Sequence, residues 1–77
     1  LLTREHAAAA EQARMLITAE PYFAGGFAVL GRALDAQNDT AAALEAYEAY
    51  LVRAYRADPE RRAIEARVRT LRAAGGT

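Results

Sequence analysis

Few side chains in this sequence could do chemistry. There is no cysteine, so there is no thiol nucleophile and no thiolate metal cage. Serine and lysine are also missing, and all ten basic residues are arginine. The single histidine, His6, has Glu5 beside it and Glu11 five residues on. A metal-binding or catalytic histidine needs further ligands at helical spacing. None is present, so His6 reads as an exposed surface residue. No paired carboxylates, thiol, serine or histidine cluster converges, and the expectation is a non-catalytic chain with no cofactor and no metal.

Arginine and tyrosine remain, both common in binding surfaces. Arg61, Arg62, Arg67, Arg69 and Arg72 crowd the last quarter of the sequence and could hold phosphates. No aromatic residue interleaves with them to stack on bases, so a solvated polar helix face is the plainer reading. Tyr50 and Tyr55 stand five apart and cannot both face a core fully. One of them is a candidate for contact with another chain; the alternative is partial burial under the helix that follows.

The elements that must position these residues are marked off by helix breakers. The first helix covers residues 2–20, with Thr3 as its N-cap and Pro21 as its stop; Ala9, Ala13, Leu16 and Ile17 form its apolar face. The second runs over residues 22–37 and buries Phe27, Leu30 and Leu34. Gly31 in its middle costs ~1 kcal/mol relative to alanine, which signals close contact with another helix. Asn38 ends it in a left-handed conformation. The third helix, capped by Asp39 or Thr40, continues to residue 57 with Ala43, Leu44, Tyr47 and Leu51 inward. Asp58, Pro59 and Glu60 start the fourth; it runs over residues 59–74 with an Ile64, Val68 and Leu71 stripe and stops at Gly75 and Gly76. Nothing alternates with period two. The expected fold is all-α, four helices joined by short connections.

Seventy-seven residues allow one small domain, which buries only about 60% of its unfolded surface. The longest apolar run, residues 7–10, is far too short to cross a membrane. No targeting segment is visible, and a cytoplasmic location is the expectation. The zero net charge divides unevenly. Residues 1–52 carry three arginines against seven acids, a net −4, and residues 53–77 carry seven against three, a net +4. Pairing within the chain or with a neighbour is the simplest use of that asymmetry.

The second and third helices carry a repeat pattern. Phe27, Leu30, Gly31 and Leu34, followed by Ala43 and Tyr47, have the spacing of W-x2-L-G-x2-Y followed by A-x3-F. Ala9, Ala13 and Pro21 fit the end of a preceding unit in the same register. The chain therefore resembles the tetratricopeptide repeat family over about residues 5–58: the second helix of one repeat (2–20), one full repeat (22–57) and a capping helix (59–74). Leu34 replaces the family's tyrosine, Tyr50 replaces its usual alanine, and Tyr55 occupies the place of its closing proline. With Pro59 about one turn late, the third helix should be about four residues longer than the family norm.

The resemblance implies a protein-interaction or scaffold module. It implies a groove lined by the second helix, with Gly25, Ala28, Arg32, Asp35 and Ala36 facing it. The family's peptide-carboxylate clamp needs two cationic or amide side chains one turn apart. Ala28 followed by Arg32 supplies only one, so an acidic peptide tail is disfavoured and Arg32 reads as solvated or paired with Asp35 or Asp39. One and a half repeats leave the groove half built. The expected partner is a protein or peptide: the chain ends a longer array, or it forms a homo-oligomer through the open alanine-rich face of its first helix. A small adaptor binding nucleic acid through its arginine-rich last helix is the alternative, disfavoured because the chain is not basic as a whole.

Overall fold

A computed structural model describes residues 2–75. The order is α1 (Leu2–Ala19), α2 (Ala24–Ala36), α3 (Thr40–Arg53) and α4 (Arg61–Gly75). Each helix packs on its neighbour in sequence, α1 on α2, α2 on α3 and α3 on α4. The Cα trace is 17 Å deep across its thinnest direction and 35 Å and 34 Å across the others, about two helices deep. The all-α class and the four elements are as the sequence predicts.

The boundaries follow local chemistry. α1 already includes Leu2, so Thr3 lies inside its first turn rather than at its cap. α2 starts two residues later than expected, after Pro21 and Tyr22 have turned the chain. Asn38 has φ 63°, the left-handed geometry that a short polar residue tolerates. Asp39 then caps α3, its Oδ1 accepting from the Ala42 N–H at 3.4 Å. α4 starts at Arg61, not at residue 59 as expected, and Asp58 and Pro59 belong to the turn that leads into it. The Asp58 Oδ1 accepts the Glu60 N–H at 2.9 Å, and the Arg61 N–H bonds to the Asp58 carbonyl at 3.0 Å.

The end of α3 also corrects the sequence reading. α3 ends at Arg53, not at residue 57, and Ala54 is extended (φ −74°, ψ 142°). The cause is distant in sequence. Arg61 from α4 donates through Nη1 to the carbonyls of Leu51 and Ala54, at 3.0 and 2.9 Å. These are carbonyls a helix end leaves unpaired. A charged donor from the next helix satisfies them there, and residues 54–60 become the connection that lays α4 back over Tyr50.

The core runs along α2, α3 and α4. Ala28, Leu34, Ala43, Ala46, Tyr47, Tyr50, Ile64, Val68 and Leu71 are buried together. The Ile64, Val68 and Leu71 stripe is inward as expected. Ala43 and Ala46 let α2 and α3 approach closely, and Gly31 is required by that approach. A Cβ at Gly31 would lie 2.5 Å from Tyr47 Cδ1 and 2.6 Å from Cε1. The α1–α2 contact is thinner. Ala10 and Ala13 are buried, while Leu16 stays 37% and Met15 68% exposed.

Candidate protein-interaction surface

Three surfaces could meet another molecule: the α2–α4 face, the outer side of α1, and an aromatic cleft at the end where α2 begins and α3 stops.

The α2–α4 face carries Arg32, Asp35 and Ala36 of the predicted groove. Arg67 from α4 grips the Asp35 carboxylate with both ends of its fork, Nε to Oδ2 at 2.6 Å and Nη2 to Oδ1 at 2.7 Å. The Tyr47 hydroxyl donates to the same Oδ2 at 3.0 Å. The Arg67 fork and the Tyr47 hydroxyl hold the Asp35 carboxyl below its ordinary value, against partial burial. Burial, then the neighbouring carboxylate, pushes the Tyr47 phenol up to about 12. Arg32 pairs with Glu60 at 3.1 Å, and not with Asp35 or Asp39 as expected. Bidentate charge-assisted bonds fix geometry, so this face is laced by its own side chains. Ala28 is buried at 1% exposure and leaves the groove-facing set; Gly25, at the N-terminal end of α2, is half-buried beside the Phe23 ring.

The same pairing absorbs the arginines of α4. Arg61 serves the α3 carbonyls and Glu65, Arg67 holds Asp35, and Arg72 pairs with Glu48. Arg67 and Arg72 thus bridge the basic segment to acids of the acidic one. Arg62 and Arg69 stay exposed. Three of the five α4 arginines are committed within the chain, which weakens the case for a phosphate-binding row.

α1 contacts α2 alone to any extent. Its outward side is Ala8, Glu11, Gln12, Met15 and Ala19, all exposed. On the α2 side it is continued by Val29, 44% exposed. His6 is half-buried and lines a shallow hollow with Ala9, Val29, Arg32 and Ala33. Sequence reading placed it fully in solvent. Its one-turn spacing to Ala9 and Ala10 on the α2-facing side was the available signal.

The third surface was only partly foreseen. Tyr22, Phe23, Ala24, Gly25, Tyr50, Arg53, Tyr55, Asp58 and Pro59 line a cleft of ≈ 520 Å³. Tyr22 (86%), Tyr55 (84%) and Phe23 (52%) are exposed around it. Tyr50 is 1% exposed, so of the two tyrosines set apart as contact candidates only Tyr55 is on the surface. The Tyr50 hydroxyl makes no hydrogen bond of sound geometry, although Asp58 is close; burial, then Asp58, pushes its phenol up to about 12. Sequence spacing separates Tyr22 and Phe23 from Tyr55 by three decades of residues. Only the early end of α3 brings them to one place.

No helix among the described residues is long and apolar enough to cross a membrane. No family model matches the chain, and neither a curated protein nor a solved structure matches it.

Proposed function

We propose that this chain is a non-catalytic protein–protein interaction module of tetratricopeptide type, whose α1 face receives a further helical layer. That layer comes from preceding repeats or from a second copy of the chain. One observation carries the reading: α1 is packed on one side only, with Ala10 and Ala13 its buried contacts and Ile17 and Leu16 beside Gly26, and leaves Met15 and the neighbouring Val29 exposed. Alanine gives a neighbour close approach but little burial per residue, so a second helical layer supplies what α2 alone does not. The Gly31–Tyr47 crossing and the Asn38–Asp39 turn support the repeat-type hairpin.

Light scattering on the isolated chain tests the self-associating form. A mass of at least twice 8.3 kDa is expected, falling towards the monomer on dilution. A chain that stays monomeric and unfolds cooperatively at high concentration overturns self-association. Placing Glu at Met15 separates the two forms further: it should dissolve the oligomer and leave the α2–α3–α4 core folded.

A further inference from the structure

The aromatic cleft is not used by the α1 reading and does not depend on it. Six aromatic residues occur in the chain. Phe27, Tyr47 and Tyr50 belong to or pack on the core, and the other three surround this one cleft. Exposed tyrosines scattered singly need no explanation; three rings around one cleft do.

Charges of both signs line the cleft, and their pairing differs. Arg53 is the cation that lines the cleft, and its guanidinium is spent. It donates through Nε to the Pro21 carbonyl at 2.8 Å and through Nη1 to the Ala49 carbonyl at 2.9 Å, and it lies 4.3 Å over the Phe27 ring. Arg56, Arg61 and Arg62 border the notch on the other side of Asp58 and Pro59 and do not line the cleft. Glu60 is paired with Arg32. Asp58 is in no ion pair among the described residues: its Oδ1 accepts the Glu60 N–H, the Arg61 charge acts on it from the notch side, and it also lines the cleft. Beneath it the Tyr50 hydroxyl, fully buried, lacks a well-formed hydrogen bond. Asp58 is its polar neighbour.

We propose that this cleft takes the cationic side chain, lysine or arginine, of a partner protein. The alkyl stem and cation lie against the rings of Tyr22, Phe23 and Tyr55, and the N–H groups bond to the Asp58 carboxylate. Aromatic faces attract cations, and a carboxylate accepts charge-assisted bonds from either head group. The stem gains the apolar contact that the exposed rings offer.

The test is an NMR titration of the chain with a blocked pentapeptide, acetyl-Gly-Gly-Lys-Gly-Gly-amide, with its arginine counterpart, and with norleucine in place of lysine. Ring resonances of Tyr22, Phe23 and Tyr55 should shift with the lysine or the arginine peptide, and the norleucine peptide should bind at least tenfold more weakly. Asp58→Asn keeps an oxygen that can accept the Glu60 N–H of the turn before α4, and should weaken the cationic peptides at least tenfold. Tyr55→Ala should do the same with an unchanged melting temperature. Equal binding of norleucine and lysine, or an Asp58→Asn chain that binds as the parent does, overturns the assignment. A failed titration leaves the α1 reading standing, and a monomeric chain leaves this one standing.

Discussion

The two ends of the molecule are built differently. The α2–α3 hairpin is held by shape and by polar bonds at once: Gly31 against the Tyr47 ring, the Tyr47 hydroxyl on Asp35, Asp35 in the fork of Arg67. The α1–α2 contact has shape alone. Ala10 and Ala13 are buried against α2, Gly26 lies near Ile17 and Leu16, and no side-chain hydrogen bond or ion pair joins α1 to α2 among the described residues. A surface meant to remain single is usually covered or made polar. The outward side of α1 is mixed, with Glu11 and Gln12 beside Ala8, Met15 and Ala19, so the contrast in how the two contacts are held is the physical basis for reading it as the receiving face.

Substitutions can break that contrast, and the largest effect is expected on α4. Ile64→Ala removes a buried anchor from the stripe over Tyr50 and should cost about 2–5 kcal/mol. At the opposite end, Met15→Ala should change monomer stability by no more than about 0.5 kcal/mol. Chemical denaturation compares the two directly, and similar costs would show that α1 is as tightly built as the core.

A pair of glycine substitutions sharpens the same point. Gly31→Ala drives a methyl into a buried ring that is itself hydrogen-bonded, and should cost about 1–3 kcal/mol despite the better helix former. Gly26→Ala meets only side-chain atoms, Ile17 Cγ1 at 3.1 Å and Leu16 carbons at 3.6 Å. Those chains can shift, so this change should be near neutral. A shift of 4–8 °C in melting temperature corresponds to about 1 kcal/mol in a domain of this size, so thermal melts resolve the difference.

pH probes the polar half of the hairpin alone. Asp35 holds its proton less tightly when folded than in the unfolded chain, so its contribution is present above its ordinary value of 3.8 and is lost as pH falls through the folded value. The two buried phenols act in the opposite direction. Both are raised from 10.0 to about 12, so their contribution is intact below 10 and is lost as pH rises towards 12. Asp35→Asn should flatten the acid limb of a stability–pH profile and soften the alkaline limb, because the Asp35 carboxylate helps raise the Tyr47 phenol while burial raises both phenols on its own. The smallest effect is expected from Tyr50→Phe. Removing a buried hydroxyl without a sound partner should be neutral or stabilising by up to about 1 kcal/mol; a clear loss would reveal a formed bond to Asp58.

Local rules made most of the fold legible. Pro21, Asn38–Asp39 and Asp58–Pro59 mark the breaks, the Ile64, Val68 and Leu71 spacing marks the inward face of α4, and Gly31 announces a close crossing. The end of α3 was not legible, because nothing between Arg53 and Pro59 forbids a helix. What stops it is a guanidinium eight residues beyond its last residue, a tertiary cap with no local signature. The site suffered from the same gap. Arg32 was expected to pair within its own helix or the next turn, but found Glu60, and Asp35 found Arg67. Five-residue spacing on a long α3 leaves open which of Tyr50 and Tyr55 faces the core. Once α3 ends early, α4 folds over Tyr50 and leaves Tyr55 outside with Tyr22 and Phe23.

The central claim is that α1 is a helix awaiting a partner, while α2 and α3 are complete. Amide hydrogen exchange measured at low and high protein concentration addresses it most directly. The account predicts weak protection along α1 at low concentration, strong protection in α2 and α3 throughout, and a concentration-dependent rise confined to α1 and the adjoining surface of α2. Protection of α1 equal to that of α3 in the dilute monomer would contradict it.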